Sequence, residues 1–167
     1  MTLPTTNAAP TLPEAAQRVA DTLRAIGHRQ PVTMLPATGR TSAEAAAALG
    51  CQVAEIAKSV VLRRLADDAA VMVVASGVNR IDEDKVAALL GAVGKADARF
   101  VKERTGYSIG GVCPVGHSQP LSMLVDADLL NYPQIWAAAG HPHAVFQLTP
   151  QELLAMTGAP AVDIALR

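Results

Sequence analysis

Apolar positions along the chain change period repeatedly, and the changes mark out short elements. Over residues 12–26 they recur near helical spacing, at Leu12, Ala16, Val19, Leu23 and Ile26, and Gly27 supplies a stop. Residues 32–35 read as a strand ended by Pro36. Thr41 and Glu44 have capping-box spacing ahead of an alanine-rich run that Gly50 closes. Residues 53–57 read as a second short helix, which puts Lys58 at a helix-to-strand junction before a strand over 59–64. Asp67 and Asp68 supply a turn, and residues 70–75 read as the antiparallel partner.

Further along, Asp82 can cap a helix running through Leu90, with Gly91 ending it. Four glycines and Pro114 keep residues 106–116 from being regular throughout. A buried strand follows over 121–125, then a turn at 126–128 and two short strands over 135–138 and 144–148. Between those two strands lie Gly140, His141, Pro142 and His143. Thr149, Pro150 and Glu152 form a strong helix start, and Gly158 ends that helix. Hairpin-length turns join several strands, and no regular β-α-β rhythm appears. The pattern predicts an α+β fold around a mixed, largely antiparallel sheet. Residues 1–11, rich in Thr, Pro and Ala, read as a flexible leader, and 12–167 as one domain.

Composition narrows the function. Half of the 167 residues are hydrophobic but only 3% are aromatic, so the core must be aliphatic and offers few stacking surfaces. The formal net charge of −1 gives no bulk attraction to nucleic acid, so DNA is not an expected partner and any RNA contact must be local. No apolar run is long enough to span a membrane, and the N-terminus lacks the regions of a signal peptide. Two distant cysteines, Cys51 and Cys113, define no disulfide framework and fit a reducing cytoplasm.

The chemistry-bearing residues are few. Lys58 precedes a strongly apolar strand and can point into a cleft while its neighbours enter the core. Gly110 and Gly111 remove side chains from two successive positions, so a ligand can approach the main chain and its N–H donors. Such donors stabilise the oxyanion that forms when an ester is hydrolysed. His141 and His143, or Cys113 and His117, make half a zinc site at most, and no metal or cofactor is expected. Nothing places a base beside Cys113, and no phosphate-binding glycine motif is present.

Several segments go together. They are residues 41–50; Ile56, Ala57, Lys58, Ser59, Val60 and Val61; Asn79 to Asp82; Thr105, Gly106 and Tyr107; residues 110–116; Val125 and Asp126; Ala139 and Gly140; and residues 148–153. In order and spacing they resemble the YbaK/ProX family of aminoacyl-tRNA editing domains, from about Thr41 to the C-terminus. The resemblance implies a curved mixed sheet flanked by helices. It also implies hydrolysis of the ester that joins a wrong, small amino acid to the 3′ end of a tRNA, with a synthetase as a further partner. Lys58 then matches the functional lysine and fixes the terminal nucleotide or the attacking water. Gly110 and Gly111 match the glycine pair beside the ester, and His141 falls near the site. Met34, Leu35, Val60, Ile109 and Val112 are the expected walls of a size-selective pocket. Two other readings stay open: a non-catalytic tRNA- or synthetase-binding module of the same fold, and a hydrolase of small acyl esters that does not act on RNA.

Overall fold

The computed structural model describes residues 11–36 and 41–167. The leader expected over 1–11 therefore lies, but for Thr11, outside the described residues. The chain opens with α1 (Glu14–Ala25), an amphipathic helix that buries Ala16, Val19 and Leu23 on one stripe. After β1 (Val32–Met34) comes α2 (Ser42–Leu49), whose capping box forms as its residue types require. Glu44 N–H donates to Thr41 Oγ1 at 3.0 Å, and Thr41 N–H to Glu44 Oε1 at 3.2 Å.

The helix expected over 53–57 is only a 3-10 turn, Val53–Glu55. β2 (Ile56–Arg64) starts directly after it, so Lys58 is the third residue of a strand and not a junction residue. Long-range pairing decides this. Ile56 and Ala57 pair with β6 (Ile135–Ala138), and Ile56 C=O accepts the Gly77 N–H at 2.8 Å. β3 (Ala70–Ser76) completes the hairpin through the turn at Asp68. α3 (Glu83–Leu90) is capped by Asp82 as expected. β4 (Val93–Lys95) and α4 (Ala98–Thr105) follow. The rest is β5 (Ser122–Asp126), a 3-10 turn (Ala127–Asn131), β6, β7 (Ala144–Leu148), α5 (Pro150–Thr157) and β8 (Ala161–Val162).

The eight strands form one sheet in the order β1-β7-β6-β2-β3-β5-β8, with β4 attached to β2. The sheet is mixed. β1–β7, β2–β3, β2–β4 and β6–β7 are antiparallel, while β2–β6, β3–β5 and β5–β8 are parallel. β3 is buried along its whole length because both of its faces are covered. Met72 and Val74 enter the larger cluster with α1, Tyr107 and Phe146. Val71, Val73 and Ala75 enter a second cluster with Val86 and Ile164.

A buried carboxylate ties the ends of β3 and β5 together. Asp126 is fully buried, and its Oδ2 accepts from the Ser76 N–H at 3.0 Å and from Asn79 Nδ2 at 2.8 Å. Its Oδ1 accepts the Asp128 N–H at 2.9 Å. With three charge-assisted hydrogen bonds the burial is tolerated, but removing the carboxylate strands three donors in the interior. Asp126→Ala is therefore expected to destabilise the fold by about 3 kcal/mol, read from urea denaturation. A change below about 1 kcal/mol would show that the loop from Ser76 to Asn79 holds itself.

Candidate functional site

The site is built by the way β2 shares one of its edges. Along one edge, Ala57 to Arg63 pair continuously with β3. On the other edge, β6 pairs only with Ile56 and Ala57, and β4 only with Leu62, Arg63 and Arg64. Lys58, Ser59, Val60 and Val61 thus have no strand beside them on that side. The phase of the hairpin fixes what faces the opening. Ile56 C=O bonds Gly77 N–H at 2.8 Å, and Arg64 N–H bonds Ala69 C=O at 2.9 Å, so even-numbered residues of β2 turn their main-chain groups towards β3. Ser59 and Val61, of the other parity, turn theirs towards the opening. Ser59 Oγ is also buried with no hydrogen-bond partner among the described residues.

A cavity of about 930 Å³ occupies this opening. β2 contributes Lys58, Ser59 and Val60 to its wall, and the glycine-rich segment contributes Ile109, Gly110 and Val112. Trp136 and Ala137 of β6, Pro142 of the β6–β7 turn, and Thr41 and Ser42 at the start of α2 complete much of the rest. Lys58 is the one exposed residue in a strand that is otherwise buried or half-buried, and its ammonium has no ion-pair or hydrogen-bond partner among the described residues. Glu83 is the carboxylate on the wall.

The two glycines do different things. Gly110 has φ +91° in the third position of a turn that Gly111 N–H closes on Ser108 C=O at 3.0 Å. That position of a type II turn requires positive φ. Gly111 is buried, and a Cβ placed on it would lie 2.8 Å from His141 N and 2.9 Å from His141 Cα. Its missing side chain serves the packing of two loops, and its N–H is already used. The expectation that both N–H groups face a ligand therefore reduces to Gly110.

Three expected contributors stand elsewhere. Met34 and Leu35 lie on and after β1, separated from β2 by β7 and β6 in the sheet. Leu35 does not line the cavity but packs behind its wall, against Ala45, Ile56 and Val145, and Met34 is on the outer surface. His141 does not line the cavity; its Nδ1 accepts the His143 N–H at 3.1 Å, which shapes the turn that presents Pro142. The contributions of Ser59, Pro142 and Trp136 were missed, because a gap between two non-local pairings has no signature in a local window.

The other titratable groups are structural. Cys113 is fully buried, and burial pushes its thiol up to about 12. His117 Nε2 meets the Cys113 carbonyl at 2.7 Å, and desolvation lowers its pKa. Tyr107 donates its hydroxyl to Val115 C=O at 2.7 Å, which braces the glycine-rich segment from inside. Among the described residues no three His, Cys, Asp or Glu side chains are grouped to hold a metal, and no helix is long and apolar enough to cross a membrane.

Against this geometry, the relationships of the chain can be placed. The aminoacyl-tRNA editing domain family matches residues 37–156, and the chain belongs to that family, as the YbaK/ProX resemblance implied. An uncharacterized protein of Bacillus subtilis (strain 168), YwhH, is 32% identical over 123 residues, covering 73% of this chain and 78% of its own. A crystal structure of a proposed trans-editing enzyme for prolyl tRNA synthetase is 43% identical, covers 94% of this chain and all of its own, and superposes with a TM-score of 0.89. The crystal structure of hypothetical protein APE2540 is 32% identical over 89% of this chain and 99% of its own, with a TM-score of 0.82.

Two outcomes follow from the site's geometry. Gly111→Ala is expected to cost about 2–3 kcal/mol of stability because backbone atoms cannot yield, while Gly110→Ala costs about 1 kcal/mol of left-handed strain, both by urea denaturation. The reverse order would contradict the packing described. A thiol reagent at pH 8 should modify one cysteine per folded chain, Cys51, and reach Cys113 only in denaturant; rapid loss of both thiols in the folded protein would contradict its burial.

Proposed function

We propose that this chain is a deacylase that hydrolyses the ester of mischarged aminoacyl-tRNA carrying a small amino acid. One observation carries the reading: an uncommitted ammonium, an open strand edge and a glycine turn meet in a single cavity of about 930 Å³. That volume is far more than a small amino acid needs, and it leaves room for the terminal nucleoside as well. The proposed enzyme for prolyl tRNA synthetase, 43% identical to this chain, supports the same reading.

In this mechanism Lys58 holds the terminal nucleotide or the attacking water through its ammonium. Gly110 N–H donates to the oxygen that becomes negative as water adds to the carbonyl. Gly111 keeps the turn in place against His141. The hydroxyl next to the ester on the tRNA itself orients or deprotonates the water. An activated ester needs positioning more than a strong base, which fits a cavity without a histidine on its wall. Val60, Ile109 and Val112 limit the size of the side chain admitted. The reaction would take place in the cytoplasm, where the unpaired Cys51 and Cys113 stay reduced.

The test uses a panel of tRNAs charged with Ala, Ser, Thr, Cys and Pro. At least one small aminoacyl ester should be released, and Lys58→Ala should lower kcat/KM by about 100-fold or more. If no charged tRNA is deacylated, the reading fails in favour of a binding module. Equal rates for Lys58→Ala and wild type would remove Lys58 from the mechanism.

A further inference from the structure

A second hollow adjoins the cavity. It holds about 540 Å³ and is walled by Arg63, Lys95, Phe100 and Arg104, together with Asp68 and Asp97. Lys95 and Ala96 belong to both walls, so the two spaces adjoin there. β4 makes this join: Leu62 pairs with Lys95, which sets the lysine beside the end of the open edge of β2.

Charge in the groove is not balanced. Both of its carboxylates are engaged. Asp68 meets Arg63 at 2.6 Å through one guanidinium donor, which leaves the other donors of Arg63 uncommitted, and Asp97 Oδ1 accepts the Phe100 N–H at 2.8 Å as the cap of α4. Lys95 is exposed and has no ion pair among the described residues. Arg104 gives one N–H to the Asp68 carbonyl at 2.7 Å and lies over the Phe100 ring at 4.7 Å, so most of its five donors are uncommitted. The walls of the groove carry Arg63, Lys95 and Arg104 against Asp68 and Asp97, an excess of one positive charge in a chain of net charge −1.

Resting on the deacylase reading, we infer that this groove takes the phosphates of the tRNA strand that precedes the terminal nucleoside. Arg63, Lys95 and Arg104 meet the phosphates, and Phe100 holds the Arg104 guanidinium in place from below. The ester then enters the cavity past Lys95. This is the local contact that a near-neutral protein needs in order to hold a polyanion by one end.

The experiment compares one aminoacyl ester on full-length tRNA and on adenosine alone, first with no synthetase present and then with one added. The enzymes are wild type, Arg63→Gln/Arg104→Gln and Arg104→Lys; these two arginines line the groove and not the cavity. For the double variant, KM on tRNA should rise about 10-fold or more with kcat unchanged, and hydrolysis of aminoacyl-adenosine should stay within about twofold. The slope of log kcat/KM against log salt should become shallower by about 1.5, as expected for two lost phosphate contacts. Arg104→Lys should recover part of the loss. The inference is overturned if KM on tRNA moves by less than about twofold, or if both esters suffer alike. It is also overturned if the variants differ from wild type only after a synthetase is added, which would make the groove a protein dock. Failure of wild type on both esters would instead refute the deacylase reading, and this inference with it.

Discussion

The architecture turns on the divided edge of β2. A strand normally gives each edge to one neighbour. Here β6 arrives parallel and takes two residues, and β4 arrives antiparallel and takes three, with Lys58 to Val61 left between them. Main-chain groups of Ser59 and Val61 have no partner among the described residues in an otherwise continuous sheet. Unpaired donors and acceptors in the interior are costly unless a ligand or solvent reaches them. A fold that keeps this arrangement keeps a recognition surface made of backbone. The same division places the cavity and the groove on either side of Lys95, so both follow from a single pairing choice.

What holds the division open is packing around it. β3 is buried on both faces and pins the complete edge of β2. Asp126 locks the end of β3 to β5 through Ser76 and Asn79. That lock fixes Gly77, where a Cβ would come within 2.6 Å of Val53 C=O, and so fixes the turn that leads into Lys58. On the far side of the opening, irregular backbone from Gly106 to Gly116 is braced by the Tyr107 hydroxyl and by the close contact of Gly111 with His141. In a core with few aromatic side chains, Tyr107 both fills space and anchors a loop.

Much of this was legible in the sequence where the physics is local. The capping boxes at Thr41 and Thr149 form with the partners their spacing implies, and the strands at 135–138 and 144–148 have the expected bounds. Lys58 and Gly110 were singled out and do meet in one cavity. Most of the failures come from non-local pairing. The helix expected at 53–57 gave way after Glu55 because β6 and Gly77 claim Ile56 and Ala57. α4 escaped notice because it buries only Val101 and Thr105 and exposes a charged face, so no stripe marks it. Met34 and Leu35 were expected in the wall of the pocket, whereas β1 docks on β7 at the edge of the sheet. The open edge of β2 could not be read at all, since it is defined by where two distant strands stop.

The most direct test of the central claim is a crystal structure with a non-hydrolysable amide analogue of an aminoacyl-adenosine. The account predicts the aminoacyl group beside Ser59 and Val61, its carbonyl oxygen within hydrogen-bond distance of Gly110 N–H and Lys58 on the nucleoside or the adjacent water. Binding of the analogue at a different surface, with the Ser59–Val61 edge untouched, would contradict it.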